Sequence, residues 1–250
     1  MTRLKRNHPQ PLYAQLSETL RADIRTQRLE PHQQLPSERE LCERFRVSRM
    51  TVRQALVELT RDGLIYSRVG KGTFVSIPKI DQQLRALTGF TQEMVSRGSK
   101  SSSRVLEAKL QTASSSLTNI LRMPPGAEVV FLSRVRFADQ VPLAIETVQL
   151  PHSLCPNLLQ HDFSVESLYH ILEHDYGYRL TRAEQTIEAA LANPRDLSLL
   201  QLVPPAPVLV MERLTFTDQN ILIEYVQSTY RGDRYKFRSA LSPRSELQTI

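Results

Sequence analysis

Cysteine is scarce in this 250-residue chain: Cys42 and Cys155 are the only two, far apart and in no CxxC pairing. Isolated thiols supply neither a disulfide framework nor a zinc finger, and read as buried, reduced cysteines of a cytoplasmic protein. Long apolar runs are lacking too. No stretch approaches the ~18 consecutive apolar residues that a membrane span needs, so no membrane partner is expected. The basic start, MTRLKRNHPQPLY, leads into no apolar segment and is not expected to be a secretory signal. There is no repeat of fixed period, no nucleophile–base pair and no metal-ligand motif. His170 and His174 stand four apart, but on an amphipathic helix pattern they read as solvent-facing rather than as metal ligands. No catalytic residue, metal or cofactor is therefore expected.

What is present is an ordinary globular composition, 40% apolar and 23% charged, with an uneven charge. Through residue 77 there are 14 Lys+Arg against 8 Asp+Glu, whereas the remainder holds 18 of each. The whole net charge of +6 thus lies in the first third. Bulk charge holds that part, and not the neutral remainder, to a phosphate backbone.

The first third also carries a pattern. Leu12, Leu16, Leu20 and Ile24 fall on one helical face, with Tyr13 beside them and Pro11 at the first turn. Pro31 and Pro36 end that helix. Ser37 with Glu40 forms a capping box that opens a second helix, SERELCERF. Ser48 caps a third, SRMTVRQALVELTRDG, and Gly63 ends it as a C′ residue. A strand from Leu64, a tight RVGKG turn and a TFVSI return strand follow. Helix-turn-helix and hairpin together are the geometry of a winged DNA reader.

Such a reader needs long forked donors near the start of its recognition helix. Arg49 and Arg53 are four apart on the third helix and share a face, opposite Val52, Leu56 and Leu59. Arg49 suits bidentate contact with a guanine edge. Met50 and Thr51 suit a thymine methyl, and Thr51 or Ser48 alternatively a phosphate. Arg39 sits early in helix two, within reach of phosphate or a base edge. At the hairpin tip Arg68 and Lys71 supply charge for the minor groove, and Gly70 and Gly72 allow close backbone approach. The competing reading makes these arginines solvated partners of Glu40, Glu43 or Glu58.

After residues 76–87, a connector without strong periodicity, the signals change. Strands are expected at RVLEAKLQT, EVVFLSRVRFAD, VPLAIETVQLP, YRLTRAEQTIEAAL, PVLVMERLTFTD and LIEYVQSTYR. Helices are expected near FTQEMVSRG, SSSLTNILRM, SVESLYHILEHDYG and NPRDLSLLQL. The fold class is α+β: a winged helix-turn-helix domain over 1–75, a linker over 76–87 and a second domain over 88–250, to which the family resemblance assigns effector binding and dimerisation.

The first domain resembles the N-terminal domain of the GntR family of bacterial transcription regulators. PLYAQL, LPSEREL, F-V-SR-TVR-AL, GLI and GKGTFV carry the resemblance over nearly all of residues 11–75. It implies DNA contacts by Arg39, Arg49, Thr51 and Arg53, with Gly72 at the minor groove. The family usually has glycines where Gln27 and His32 stand, so the turn before helix two is expected to differ. More loosely, GFTQEMVSRG, RVRFADQVPLAIET, SLYHILEHDYG and IEYVQSTYRGDRYKF resemble the UTRA effector domain of the HutC-type branch. That implies a central antiparallel sheet flanked by helices, similar to chorismate lyase.

The residues of those pieces point to an anionic ligand. Thr88, Gly89, Phe90 and Thr91 stand at an expected helix N-terminus. Arg134 and Arg136, two apart on a strand, share one face and suit a phosphate or carboxylate. Glu146, Glu224 and Tyr230 are suited to reading a polyol. The competing reading is an ion-pair ladder of the two arginines with Glu146 and Glu224. Within the branch, the FTQEM form is similar to members sensing phosphorylated amino sugars such as N-acetylglucosamine 6-phosphate. By that resemblance Phe90, Thr91, Arg134 and Arg136 hold the phosphate, and Glu146, Glu224 and Tyr230 read the sugar. Other members sense histidine-pathway acids, fatty acids or phosphonate-related compounds.

One recognition helix spans too few base pairs for strong specificity. The expectation is therefore a homodimeric, cytoplasmic repressor on double-stranded, pseudo-palindromic operator DNA, its half-sites about one turn (~34 Å) apart. A small anionic effector, a sugar phosphate, would control it, with the change transmitted through the connector. An elimination enzyme using Arg134, Arg136 and Glu146, or a nucleoid-type binder without sequence preference, are the rival readings.

Overall fold

The structure, a computed structural model, describes residues 4–6, 8–26, 28–68, 70–76, 79–84 and 86–241. Gln27 and residues 242–250 of the expected second domain lie outside the described residues. The chain divides into two compact units, 1–79 and 80–250.

In the first unit α1 (Leu12–Arg25), α2 (Glu38–Phe45) and α3 (Arg49–Arg61) enclose one core. Leu16, Leu20 and Ile24, one helical turn apart, are buried against Leu41, Val52, Ala55 and Leu59. Each such side chain contributes about 1.5–3 kcal/mol by leaving water. Ser37 and Glu40 make the reciprocal capping box, and the Ser48 hydroxyl accepts from the Thr51 N–H. Gly63 follows α3 with φ +70°, as a C′ residue does. The wing is an antiparallel hairpin of β1 (Ile65–Arg68) and β2 (Gly72–Val75), which closes the core with Ile65 and Val75. A third chain segment lies along β2: His32 N–H and Leu35 N–H donate to the carbonyls of Val75 and Thr73. His32 itself takes φ +66°, so it adopts the left-handed conformation for which the family resemblance leads one to expect glycine.

The second unit is built on a six-stranded antiparallel sheet in the order β4-β5-β6-β9-β8-β7. Its strands are β4 (Ser101–Thr112), β5 (Glu128–Ala138), β6 (Val141–Pro151), β7 (Leu180–Leu191), β8 (Pro207–Thr217) and β9 (Leu222–Arg231). The helices are α4 (Phe90–Ser96), α5 (Ser115–Leu121), α6 (Leu168–His174) and α7 (Pro194–Leu200). Central strand β5 is covered on both faces. Val130 and Leu132 pack with Leu168, Ile171 and Leu172 of α6, whereas Val135 packs with Ile145 and Leu200. That two-sided burial explains why the run Val129–Leu132 is continuously apolar rather than alternating.

One boundary differs from the sequence reading. Residues within the connector expected over 76–87 form a strand, β3 (Ile80–Gln83), paired in parallel with β10 (Tyr235–Arg238). Four residues are too few to show a period, and their partner lies at the far end of the sequence.

Candidate functional site

The DNA-facing candidates cluster around one carboxylate. Arg49 Nε donates to Glu38 Oε2 at 2.7 Å and Arg53 Nε to the same oxygen at 3.1 Å. The four-residue spacing on α3 places both guanidiniums beside the first turn of α2, where Glu38 projects. The hydrogen bond from Arg49, with the charges of both arginines, holds the Glu38 carboxyl below its usual range. Both arginines stay solvent-accessible, so water or a phosphate competes for them. Arg39 meets Glu43 at 3.6 Å, as the competing reading allowed for that residue, while Glu40 is committed to the Ser37 cap. Glu38, the carboxylate that both arginines share, carries no signal in sequence spacing, because its pairing crosses between two helices.

Ser48 and Thr51 hydroxyls lie 2.9 Å apart at the start of α3, with Met50 exposed between them. On the wing, the Arg68 guanidinium stands 5.5 Å from the Tyr66 ring centroid and 5.9 Å from that of Phe74. Lys71 donates its N–H to the Arg68 carbonyl, and its own carbonyl accepts from Gln34 Nε2 at 3.0 Å. Gly72 has φ +105°, and a Cβ there would meet Gln34 Nε2 at 2.5 Å. Its glycine is therefore required by the turn and by Gln34, before any approach to DNA.

In the second unit a cavity with about 540 Å³ of empty space, part of it open to solvent, lies on one sheet face against α4 and α6. All seven ligand candidates line it: Phe90, Thr91, Arg134, Arg136, Glu146, Glu224 and Tyr230. The register explains the convergence. Arg134 is directly opposite Glu146, Ala144 opposite Tyr230, and Glu146 opposite Ser228, so alternate residues of three strands point the same way.

Arg134 and Arg136, both buried, share Glu146 Oε1, at 2.5 and 2.9 Å. Arg136 Nη2 also donates to Thr91 Oγ1 at 2.9 Å, and its guanidinium sits 4.6 Å from the Phe90 ring centroid. Burial opposes ionisation of Glu146, but the charges and hydrogen bonds of the two arginines outweigh it and hold the carboxyl at about 2. Burial lowers Arg134 to about 10 although Glu146 opposes it. Three guanidinium nitrogens, Arg134 Nε and Nη1 and Arg136 Nε, have no partner among the described residues.

Glu224 does not join this group. Its Oε1 accepts from Tyr169 Oη at 2.6 Å and Thr215 Oγ1 at 2.7 Å, while the buried Oε2 has no partner among the described residues. Burial raises the Glu224 carboxyl above its usual range despite those bonds and the nearby charge of Arg213. The competing ladder is thus half present: Glu146 joins it and Glu224 does not.

The cavity adds residues that sequence reasoning missed: Gln82, Ser167, Tyr169 and Arg213. Arg213 follows from the strand period, since it shares a face of β8 with Met211 and Thr215. Tyr169 lies within the UTRA-like piece SLYHILEHDYG, and its ring packs on Gly89, where an added Cβ would stand 3.2 Å away. Gln82 carries no such signal. Among the described residues there is no group of three or more His, Cys, Asp or Glu that could hold a metal, and no helix is long and apolar enough to cross a membrane.

Comparison with known proteins gives one family match in each unit. Residues 12–75 match the model of the bacterial regulatory proteins, gntR family, and residues 96–236 match the UTRA domain. The chain is 38% identical over 234 residues to the HTH-type transcriptional repressor NagR of Bacillus subtilis (strain 168), covering 94% of this chain and 96% of that one. It is 32% identical to the histidine utilization repressor of Pseudomonas putida, covering 94% and 93%. The crystal structure of PhnF from Mycobacterium smegmatis superposes with a TM-score of 0.68 at 32% identity, covering 94% of this chain and 100% of that one. These relatives and families are transcription regulators, not enzymes.

Proposed function

The chain belongs to the gntR family of bacterial regulatory proteins, with a UTRA domain behind its helix-turn-helix domain, and from this premise we propose how it is controlled. It is a transcriptional repressor of the HutC type. As a cytoplasmic homodimer it binds a pseudo-palindromic operator, and a phosphorylated amino sugar such as N-acetylglucosamine 6-phosphate releases it.

The observation that carries this reading is the Arg134–Arg136 pair. Two buried guanidiniums share one carboxylate oxygen and leave three nitrogens without a partner among the described residues. A buried cation in excess of its counter-charge is costly, and an anion such as phosphate compensates it with forked hydrogen bonds. Thr91 and Phe90 close the phosphate end. Glu146, Glu224 with its unpartnered Oε2, and Tyr230 present acceptors and a hydroxyl to a polyol. One cavity holds the arginine pair and these polar groups together.

On DNA, Arg49 and Arg53 exchange Glu38 for base edges or phosphate. Arg39, Ser48 and Thr51 flank them, and Arg68, Lys71 and Gly72 form the wing contact. The alternative effector is a different organic acid, either histidine-pathway, phosphonate-related or fatty.

The test is a duplex enriched from a random pool by the full-length protein. Two inverted half-sites about ten base pairs apart, with binding lost on adding N-acetylglucosamine 6-phosphate, are expected. Release by a histidine-pathway, phosphonate-related or fatty acid, and by no sugar phosphate, would select the alternative.

A further inference from the structure

Strand β3 stands in an unusual position. It begins immediately after the end of the first unit at Lys79, yet it belongs to the second. Alternation along the strand gives its residues opposite environments. Gln82 is buried and lines the effector cavity. Asp81 faces away, where its Oδ2 meets Lys236 at 3.1 Å and Arg238 at 2.5 Å, both on the paired strand β10.

A second tie comes from α4. Arg97, just past the end of that helix, donates from Nη2 to the Asp81 carbonyl at 2.5 Å and from Nε to Glu93 Oε1 at 2.8 Å. The other end of α4 holds Phe90 and Thr91, which touch Arg136. A continuous set of polar contacts thus runs from the buried arginine pair, through α4, to the backbone of the strand that leads to the DNA-binding unit.

We propose that β3 is the coupling element, with Gln82 as a further effector-contacting residue and the Arg97–Asp81 clasp as the tie between α4 and the strand. This rests on the effector reading above. An anion that draws on Arg136 competes with its bond to Thr91, shifts the start of α4, and changes the hold of Arg97 on Asp81. A ligand polar group that engages the Gln82 amide pulls on the same strand from inside the cavity. Arg97 is a positioning residue, since it does not line the cavity.

The experiment uses the full-length protein, a duplex enriched by it from a random pool, and N-acetylglucosamine 6-phosphate as the probe. If the clasp biases the arrangement of β3, Arg97→Ala shifts operator affinity without any probe by at least about fivefold, and Arg97→Lys, which keeps one donor, restores most of it. Gln82→Leu, compared with its own probe-free affinity, raises the probe concentration for half-release by at least about tenfold. Circular dichroism melting checks that each variant is folded. Folded Arg97→Ala with wild-type operator affinity would overturn the clasp, and Gln82→Leu with wild-type release would overturn the contact. A wild-type protein that ignores the probe, while Arg97→Ala still shifts operator affinity, would reject the amino-sugar reading and retain the clasp.

Discussion

Arg134 and Glu146 face each other across neighbouring strands β5 and β6, and the guanidinium Nη2 donates to the carboxylate Oε1 at 2.5 Å. Arg136 adds a second donor to the same oxygen. The pair is less a stabilising bridge than an arrangement that keeps two cations dry and oriented. A buried ion pair gains little over apolar packing, whereas breaking one leaves an uncompensated charge.

Glu146→Ala should therefore be severely destabilising, by about 3–5 kcal/mol, since it strands two buried guanidiniums. Thermal melting of the variant checks this. Added phosphate or sulfate should restore part of the loss by supplying the missing charge.

Acid should expose the same residue. The Glu146 carboxyl lies at about 2 in the folded protein, below its usual 4.5. Its contribution to stability is fully present above about 4.5 and drains away as pH falls toward 2, because the unfolded chain then binds the proton first. Denaturant melts across that window should lose stability with falling pH more steeply than those of Glu146→Gln, which has no carboxyl to protonate.

Glu38 should restrain DNA binding. Glu38→Gln frees Arg49 and Arg53, and is expected to bind random-sequence duplex severalfold more tightly, with a steeper dependence on salt. Stability should change by no more than about 1 kcal/mol, since the pairs lie at the surface. Fluorescence anisotropy over a salt series measures the first, and melting the second.

Gly72→Ala should cost roughly 1–2 kcal/mol in stability through its left-handed backbone alone. Displacing Gln34 would also weaken the bond that fixes the Lys71 carbonyl. A melt separates this from Gly70→Ala, where an added Cβ meets nothing within 4 Å although φ is also positive.

Much of the architecture is legible in the sequence, for identifiable reasons. The helices α1 to α3 follow from apolar spacing and from Ser37, Glu40, Ser48 and Gly63 at their ends. The six sheet strands follow from short apolar-rich segments, several of them alternating, and the two-residue strand period brings Arg134 and Arg136 to one face. What was not legible depends on tertiary pairing. Glu38 meets Arg49 and Arg53 only because two helices pack, and β3 exists only because residues 235–238 return to it. Glu224 looked like a partner for the arginines, but Tyr169 and Thr215 reach it first. His32 breaks the local rule, taking a glycine-like φ while its ring Nδ1 lies 3.1 Å from the Tyr66 hydroxyl.

In the proposed function the arginine pair receives the anionic end of the effector. Calorimetric titration of the full-length protein with N-acetylglucosamine 6-phosphate, beside free N-acetylglucosamine, tests it directly. Saturable binding of the phosphate, absent for the free sugar and abolished in folded Arg136→Ala, is expected. Equal binding of the two sugars, or wild-type affinity in Arg136→Ala, would contradict it.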